Sequence, residues 1–317
     1  MPRRRIEGTC YAGPLQARRP HPPLMTCGLP GWFTDVPLQY VRREETMTNE
    51  TGQTRRIVLG GLAASAGSLS MIDETTAQAQ ASGKTFVLVH GAWHGGWCWR
   101  RVSDLLEKKG HKVFSPTMTG LGERSHLLDA KINLATHVTD IVNVIKWEDL
   151  NDICLVAHPY GGWVASGALE QIGGRVSSIV WLDAFKPENG QKPIDFTNEG
   201  FRKAFVSSME KGEPGFPVPP PKLPPIFVNE KDRDYVDSKL TPQPVGTYAQ
   251  AVTLSGARDR VEKKTYIRAT KFPNPAFDKA LAECKADPSW NTFETNAYHI
   301  VMLDEPEWLA DTLMKVS

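Results

Sequence analysis

The stretch Ile153-Cys154-Leu155-Val156-Ala157-His158-Pro159-Tyr160-Gly161-Gly162 decides how this chain is read. Aliphatic and β-branched residues run into a tight glycine-rich turn, and Gly161 to Ile172 then reads as a helix. A strand, a sharp turn and a helix in that order form the setting of a nucleophile elbow, G-x-S-x-G, with serine at the tip. Here Ala157 stands at the first glycine position and Pro159 at the serine position. Proline has no hydroxyl, and its ring holds φ near about −65°. The change removes the attacking group and is expected to disturb the strained turn as well.

On either side of this stretch the same pattern repeats. Thr85 to Val89 is a continuous apolar run that reads as a buried strand, ending in His90-Gly91-Ala92-Trp93-His94-Gly95-Gly96. Trp97 to Lys109 is expected as an amphipathic helix stopped by Gly110, and Lys112 to Ser115 as a short strand. Helices are expected over 135–147, 276–285 and 306–315, and strands over 153–156, 178–182, 265–269 and 292–294. Strands alternating with helices imply an α/β fold with a mostly parallel sheet covered on both faces. Ligands in such sheets bind beyond the carboxyl ends of the strands, where these loops sit. Between about 186 and 250 the alternation breaks. Pro214-Gly215-Phe216-Pro217-Val218-Pro219-Pro220-Pro221 is polyproline-like, and helical pieces flank it. The segment is too long for an ordinary connection and is expected to form a lid.

Composition narrows the function classes. With 37 basic and 36 acidic residues the net charge is +1, which favours no nucleic-acid partner. The five cysteines form no C-x-x-C pair and no metal-ligand spacing, so no metal is expected. His90-Gly91 with Gly95-Gly96 lacks G-x-G-x-x-G order, and no nucleotide or flavin cofactor is implied. Residues 1–46 are rich in Arg, Pro and Gly without periodicity, and are expected to be a disordered or over-called extension. In 47–81, Arg55-Arg56 precedes a short apolar run, with Ala77-Gln78-Ala79 as a cleavage site. That order resembles a Tat export signal, so a periplasmic mature chain of 82–317 is expected, with a cytoplasmic location as the alternative. The apolar run is too short and glycine-rich for stable membrane insertion.

Together, Phe86-Val87-Leu88-Val89-His90-Gly91-Ala92-Trp93-His94-Gly95-Gly96-Trp97, Thr119-Gly120-Leu121-Gly122-Glu123-Arg124-Ser125-His126, Trp181-Leu182-Asp183-Ala184-Phe185 and Lys239-Leu240-Thr241-Pro242-Gln243-Pro244 resemble the α/β-hydrolase superfamily. The resemblance is to the plant methylesterase and hydroxynitrile lyase group and its bacterial esterase relatives. It spans 85–317 and implies the α/β-hydrolase fold with a small helical lid, no cofactor, and a small-molecule ester or related ligand as partner.

The resemblance also implies roles. His299, in Asn296-Ala297-Tyr298-His299, falls where the family keeps its catalytic histidine, a general base whose ordinary pKa lies near neutrality. For the orienting acid two residues compete: Asp183 after one strand, and Asp278 beyond the next. By family position the oxyanion-hole amides belong to Ala92 and Tyr160. Trp93, Trp97, Phe185 and Phe216 are candidates to line an apolar substrate pocket. His158 is expected to pack behind the elbow, and Cys154 to be buried and unreactive.

Three readings of Pro159 follow. The lineage is an ordinary carboxylic ester hydrolase disabled at one residue. Alternatively, the site works without a covalent nucleophile, in lyase or oxygenase style, with His299 as base. Or the pocket only binds a ligand. Substrate and oligomeric state are not legible.

Overall fold

The computed structural model describes residues 83–210 and 217–317. The extension, the leader and Phe216 lie outside the described residues. In chain order the described elements are β1 (Thr85–Val89), α1 (Arg100–Lys108), β2 (Lys112–Phe114), α2 (Leu134–Trp147), β3 (Ile153–Ala157), α3 (Gly161–Ile172) and β4 (Val176–Leu182). The segment after β4 holds α4 (Glu199–Glu210), β5 (Pro217–Val218), α5 (Glu230–Asp237), β6 (Gln243–Pro244) and α6 (Gly246–Ala249). The sheet then resumes with β7 (Lys263–Ala269), α7 (Pro275–Ala286) and β8 (Trp290–Thr295), followed by α8 (Val301–Asp304) and α9 (Pro306–Val316).

Six strands form one parallel sheet in the order β2-β1-β3-β4-β7-β8. Successive side chains on a strand point to opposite faces, and the apolar residues divide accordingly. Val87, Val89, Leu155, Ala157, Ile179 and Trp181 pack with α2, α3 and α7 on one face. Phe86, Leu88, Cys154, Val156, Val180 and Leu182 pack with α1, α8 and α9 on the other. Both faces are buried, which is why β1, β3 and β4 read as continuous apolar runs rather than alternating ones.

Local chemistry sets several boundaries. Asn133 caps α2 through its side chain to the Thr136 amide at 3.1 Å, and Thr136 reaches back to the Asn133 amide. Asn274 caps α7, accepting from Ala276 and Phe277, with Pro275 at the first helical position. The helix expected from Trp97 begins instead as a 3₁₀ turn, Gly96–Trp99, and becomes α-helical only at Arg100. Gly96 is pressed against Ser115, where a Cβ would meet the Ser115 carbonyl oxygen at 2.0 Å. Among the described residues no helix is long and apolar enough to cross a membrane.

Trp93 makes three of the hydrogen bonds that hold the segment inserted after β4. Trp93 donates its indole N–H to the Val218 carbonyl at 3.1 Å, and its amide to the Gln243 side chain at 3.0 Å. Its carbonyl accepts from the Thr241 amide. Trp93 has φ +63°, a left-handed conformation uncommon outside glycine, held by these three bonds.

Candidate active site

The elbow survives as a turn. The His158 amide bonds the Val89 carbonyl at 3.0 Å, and the Gly162 and Phe185 amides both donate to the Pro159 carbonyl at 3.1 Å. α3 starts at Gly161, directly behind Tyr160. Close approach explains the glycines: a Cβ on Gly162 would sit 2.0 Å from the Phe185 carbonyl oxygen, and one on Gly91 would sit 2.3 Å from Pro159 Cδ. Pro159 itself is not in the left-handed region. The strained tip conformation is thus absent, as expected for proline, while the surrounding turn persists: its hydrogen bonds use the Pro159 carbonyl and the amides of other residues, so the missing N–H is not required.

Beside the elbow lies the loop after β1. His90 donates from Nδ1 to the Gly91 carbonyl at 2.8 Å, while its Nε2 accepts from the Met118 amide at 3.0 Å. His94 donates from Nδ1 to the Ala92 carbonyl at 2.7 Å. These bonds fix both tautomers and shape the loop carrying Ala92. Burial pushes His90 down to about 3 and His94 down to about 4, so both rings are neutral near pH 7. The amides of Ala92 and Tyr160 have no hydrogen-bond partner among the described residues.

A buried relay faces the turn. His299 Nδ1 lies 2.6 Å from Asp183 Oδ2. The other carboxylate oxygen, Oδ1, accepts from Arg268 Nη1 at 2.7 Å and from the Ala269 amide at 3.1 Å. Asp183 sits just past β4 with φ +43°, a conformation aspartate tolerates better than most residues. Arg268 continues outward, its Nε bonding Asp278 at 2.9 Å. Asp183 is fully buried, whereas the Asp278 side chain is 61% exposed and touches Arg268 rather than the imidazole. Burial pushes the Asp183 carboxyl up to about 6, against the opposing pull of the Arg268 guanidinium. Burial holds His299 well below the ordinary histidine range, with His94 and Arg268 adding to it. At neutral pH the pair is thus a carboxylate accepting from a neutral imidazole. Nε2 is then the basic ring nitrogen. The rings of Phe227, Phe272 and Phe277 surround it, with centroids 4.6, 4.3 and 5.9 Å away.

Pro159, Tyr160, Ala92 and His299 line one cavity of 170 Å³. A second cavity of 620 Å³ adjoins it under the segment after β4.

The family profile described as "Alpha/beta hydrolase family" matches residues 86–312. This chain is an α/β-hydrolase. It is 35% identical over 237 residues to the "Carbendazim hydrolyzing esterase" of Nocardioides sp. (strain SG-4G), covering 72% of this chain and 97% of that protein. It is 31% identical over 140 residues to the "Putative methylesterase 11, chloroplastic" of Arabidopsis thaliana, covering 42% of this chain and 36% of that one. Among solved structures, an extracellular α/β-hydrolase from a Paenibacillus species superposes with TM-score 0.64 at 23% identity, covering 74% of this chain and 99% of that one. The last comparison speaks to the fold alone.

Within this α/β-hydrolase the residues singled out from the sequence separate. Trp93 and Phe185 line the smaller cavity with Pro159 and His299. Trp97 does not line it. Because the chain enters α1 through a 3₁₀ turn, the Trp97 ring turns away, stacks on His94 at 5.3 Å and meets Tyr235 edge-on at 5.6 Å. His158 lies behind the elbow, its Nε2 donating to the His299 carbonyl at 2.9 Å. The Cys154 thiol is buried and pushed up to about 12. Sequence reading missed Arg268, Phe227, Tyr248, Phe272 and Asn274. Their positions carry no motif. Phe272 and Asn274 follow β7 in a loop, and Phe227 and Tyr248 come from the long insertion.

Proposed function

We propose that this α/β-hydrolase is a carboxylic-ester hydrolase by lineage that binds small esters but, with Pro159 at the elbow tip, forms no acyl-enzyme. The observation that carries the reading is the intact Arg268–Asp183–His299 relay beside a turn that keeps its backbone hydrogen bonds. In this reading a serine hydroxyl at 159 would attack the ester carbonyl while His299 Nε2 takes its proton. The oxyanion would accept from the Ala92 and Tyr160 amides. His299 would then return the proton to the departing alkoxide, and water, activated by the same nitrogen, would release the acid. Proline supplies neither the oxygen nor the proton for the first step. Loss of one member of such a unit costs several orders of magnitude in rate. The esterase relative from Nocardioides supports the substrate class, and carbendazim is a rational member of the test panel.

The test is steady-state turnover of p-nitrophenyl acetate, carbendazim and a panel of methyl esters by residues 82–317, as written and as P159S. Background rates for the proline form and turnover by P159S support the reading. Equal turnover by both forms contradicts it and points to direct chemistry by His299. One observation favours that second reading: a neutral imidazole lines the cavity beside Pro159.

A further inference from the structure

The backbone amides on either side of His299 both lead to one short stretch of the segment inserted after β4. The Ile300 amide donates to the Phe227 carbonyl at 3.1 Å. The Tyr298 amide donates to Asp304 Oδ2 at 2.9 Å, and the other oxygen of that carboxylate accepts from Asn229 Nδ2 at 3.1 Å. Asp304 is the last residue of α8.

Asn229 is fixed in turn. It is the N-cap of α5, its Oδ1 accepting from the Asp232 amide at 3.0 Å. Its Nδ2 also donates to Asp232 Oδ2 at 2.9 Å. Asp232 is buried and takes both terminal nitrogens of Arg101, on α1, at 2.8 and 2.5 Å. Arg101 Nη1 further donates to the Leu303 carbonyl at 2.6 Å, just before Asp304. These bonds close a ring through α1, α5, α8 and the histidine loop.

The imidazole is aimed by its backbone as well as by Asp183. A catalytic group needs placement to within about 0.5 Å, and hydrogen bonds to a carboxylate are roughly twice as strong as neutral ones. Residues 227–232 cannot move without moving the backbone around His299. Asn229, Asp232 and Asp304 line neither of the two cavities, so any effect they have on a bound molecule passes through other residues.

We propose that Asn229 and Asp304 are positioning residues, whose mutual bond couples the insertion to the histidine loop and holds the His299 ring against the elbow. Its effect on rate rests on the reading of His299 as the general base of ester hydrolysis. The mechanical coupling rests on the bonds alone.

The principal variant is N229S. Serine is also a preferred N-cap, so α5 keeps its cap while the shorter side chain gives up Asp304. In the P159S background, with p-nitrophenyl acetate, N229S and D304A are each expected to lower kcat about 10²-fold, the cost of a misplacement of about 1 Å, with KM moved by no more than about twofold. The double variant is expected to lose no more than either single one, because the two residues act as a unit. Folding is checked by circular dichroism. Should D304A fail to fold, D304N, which keeps an acceptor for the Tyr298 amide, takes its place. In the protein as written, N229S is expected to speed hydrogen exchange of the Tyr298 amide about tenfold or more. It is also expected to shift the ring-nitrogen resonances of His299. Unchanged kcat in folded N229S, with or without a raised KM, overturns the proposal. So do unchanged Tyr298 exchange and His299 resonances in the protein as written. If P159S is itself inert, the ester reading fails, and the exchange and resonance measurements decide the coupling by themselves.

Discussion

Asp183 and His299, 116 residues apart, meet at 2.6 Å between Oδ2 and Nδ1, while the second carboxylate oxygen of Asp183 is taken by Arg268 and a backbone amide. Two bonds on one oxygen leave the other no choice of partner. That division orients the imidazole.

The first prediction separates Asp183 from Asp278. In the P159S background, D183N is expected to lower kcat about 10³–10⁴-fold, the scale on which removing the orienting carboxylate acts in such triads. D278N removes an exposed partner of Arg268 and is expected to cost at most about fivefold, the reach of an exposed ion pair. Comparable losses for the two variants would contradict the assignment.

Arg268 supplies the second. R268M leaves a buried carboxylate without its cation, and breaking a buried pair from one side typically costs about 3–5 kcal/mol. Arg268 lowers the Asp183 pKa, so its removal raises it above about 6. The acidic limb of the P159S pH–rate profile is therefore expected to move to higher pH. R268K, which keeps the charge, should recover part of the shift. An unmoved limb in folded R268M contradicts a positioning role.

Much of this architecture was legible in the chain, and the reasons differ by element. Helix α3 matches its reading at both ends because a glycine pair opens it and Gly173 follows it. Strand β1 matches its reading and β2 ends one residue before it, whereas β7 and β8 run longer than read: β7 starts with the pair Lys263-Lys264, which the apolar count passes over, and β8 starts at Trp290. Trp97, a pocket candidate through the resemblance alone, packs instead on His94 and Tyr235. The choice between Asp183 and Asp278 could not be made from spacing. Both lie near strand ends, and only the fold reveals that Arg268 stands between them.

A third prediction concerns acid stability. Burial lowers the pKa of His90, His94, His137, His158 and His299 in the folded state. Below the unfolded value of about 6.5 the unfolded chain therefore binds protons that the native state refuses. Stability from these groups is complete above that pH and is lost as pH falls. Asp183, raised to about 6, acts in the opposite sense between its unfolded value and that point, but it is one group against five. Each histidine contributes about 1.4 kcal/mol per pH unit while it is protonated only in the unfolded chain. Thermal melts are expected to show Tm flat from pH 7 to 8 and falling steeply from pH 6.5 to 5. A Tm unchanged down to pH 5 contradicts the buried neutral histidines.

The fourth uses the contact between Gly91 and the proline ring. A Cβ at 91 would lie 2.3 Å from Pro159 Cδ, an atom serine lacks. G91A is expected to destabilise the unmodified protein by more than it destabilises P159S, with a coupling of about 1 kcal/mol or more, as found for residues in contact. Denaturant unfolding of the four-member cycle measures it. Additive effects would mean that the ring does not crowd the loop.

The most direct test of the central claim is a stopped-flow burst with p-nitrophenyl acetate, followed by intact-mass analysis of the quenched protein. The account predicts no burst and no acyl adduct for the protein as written, and for P159S a burst approaching one equivalent with a matching adduct. A burst or adduct from the proline form, or a folded P159S with neither, would contradict it.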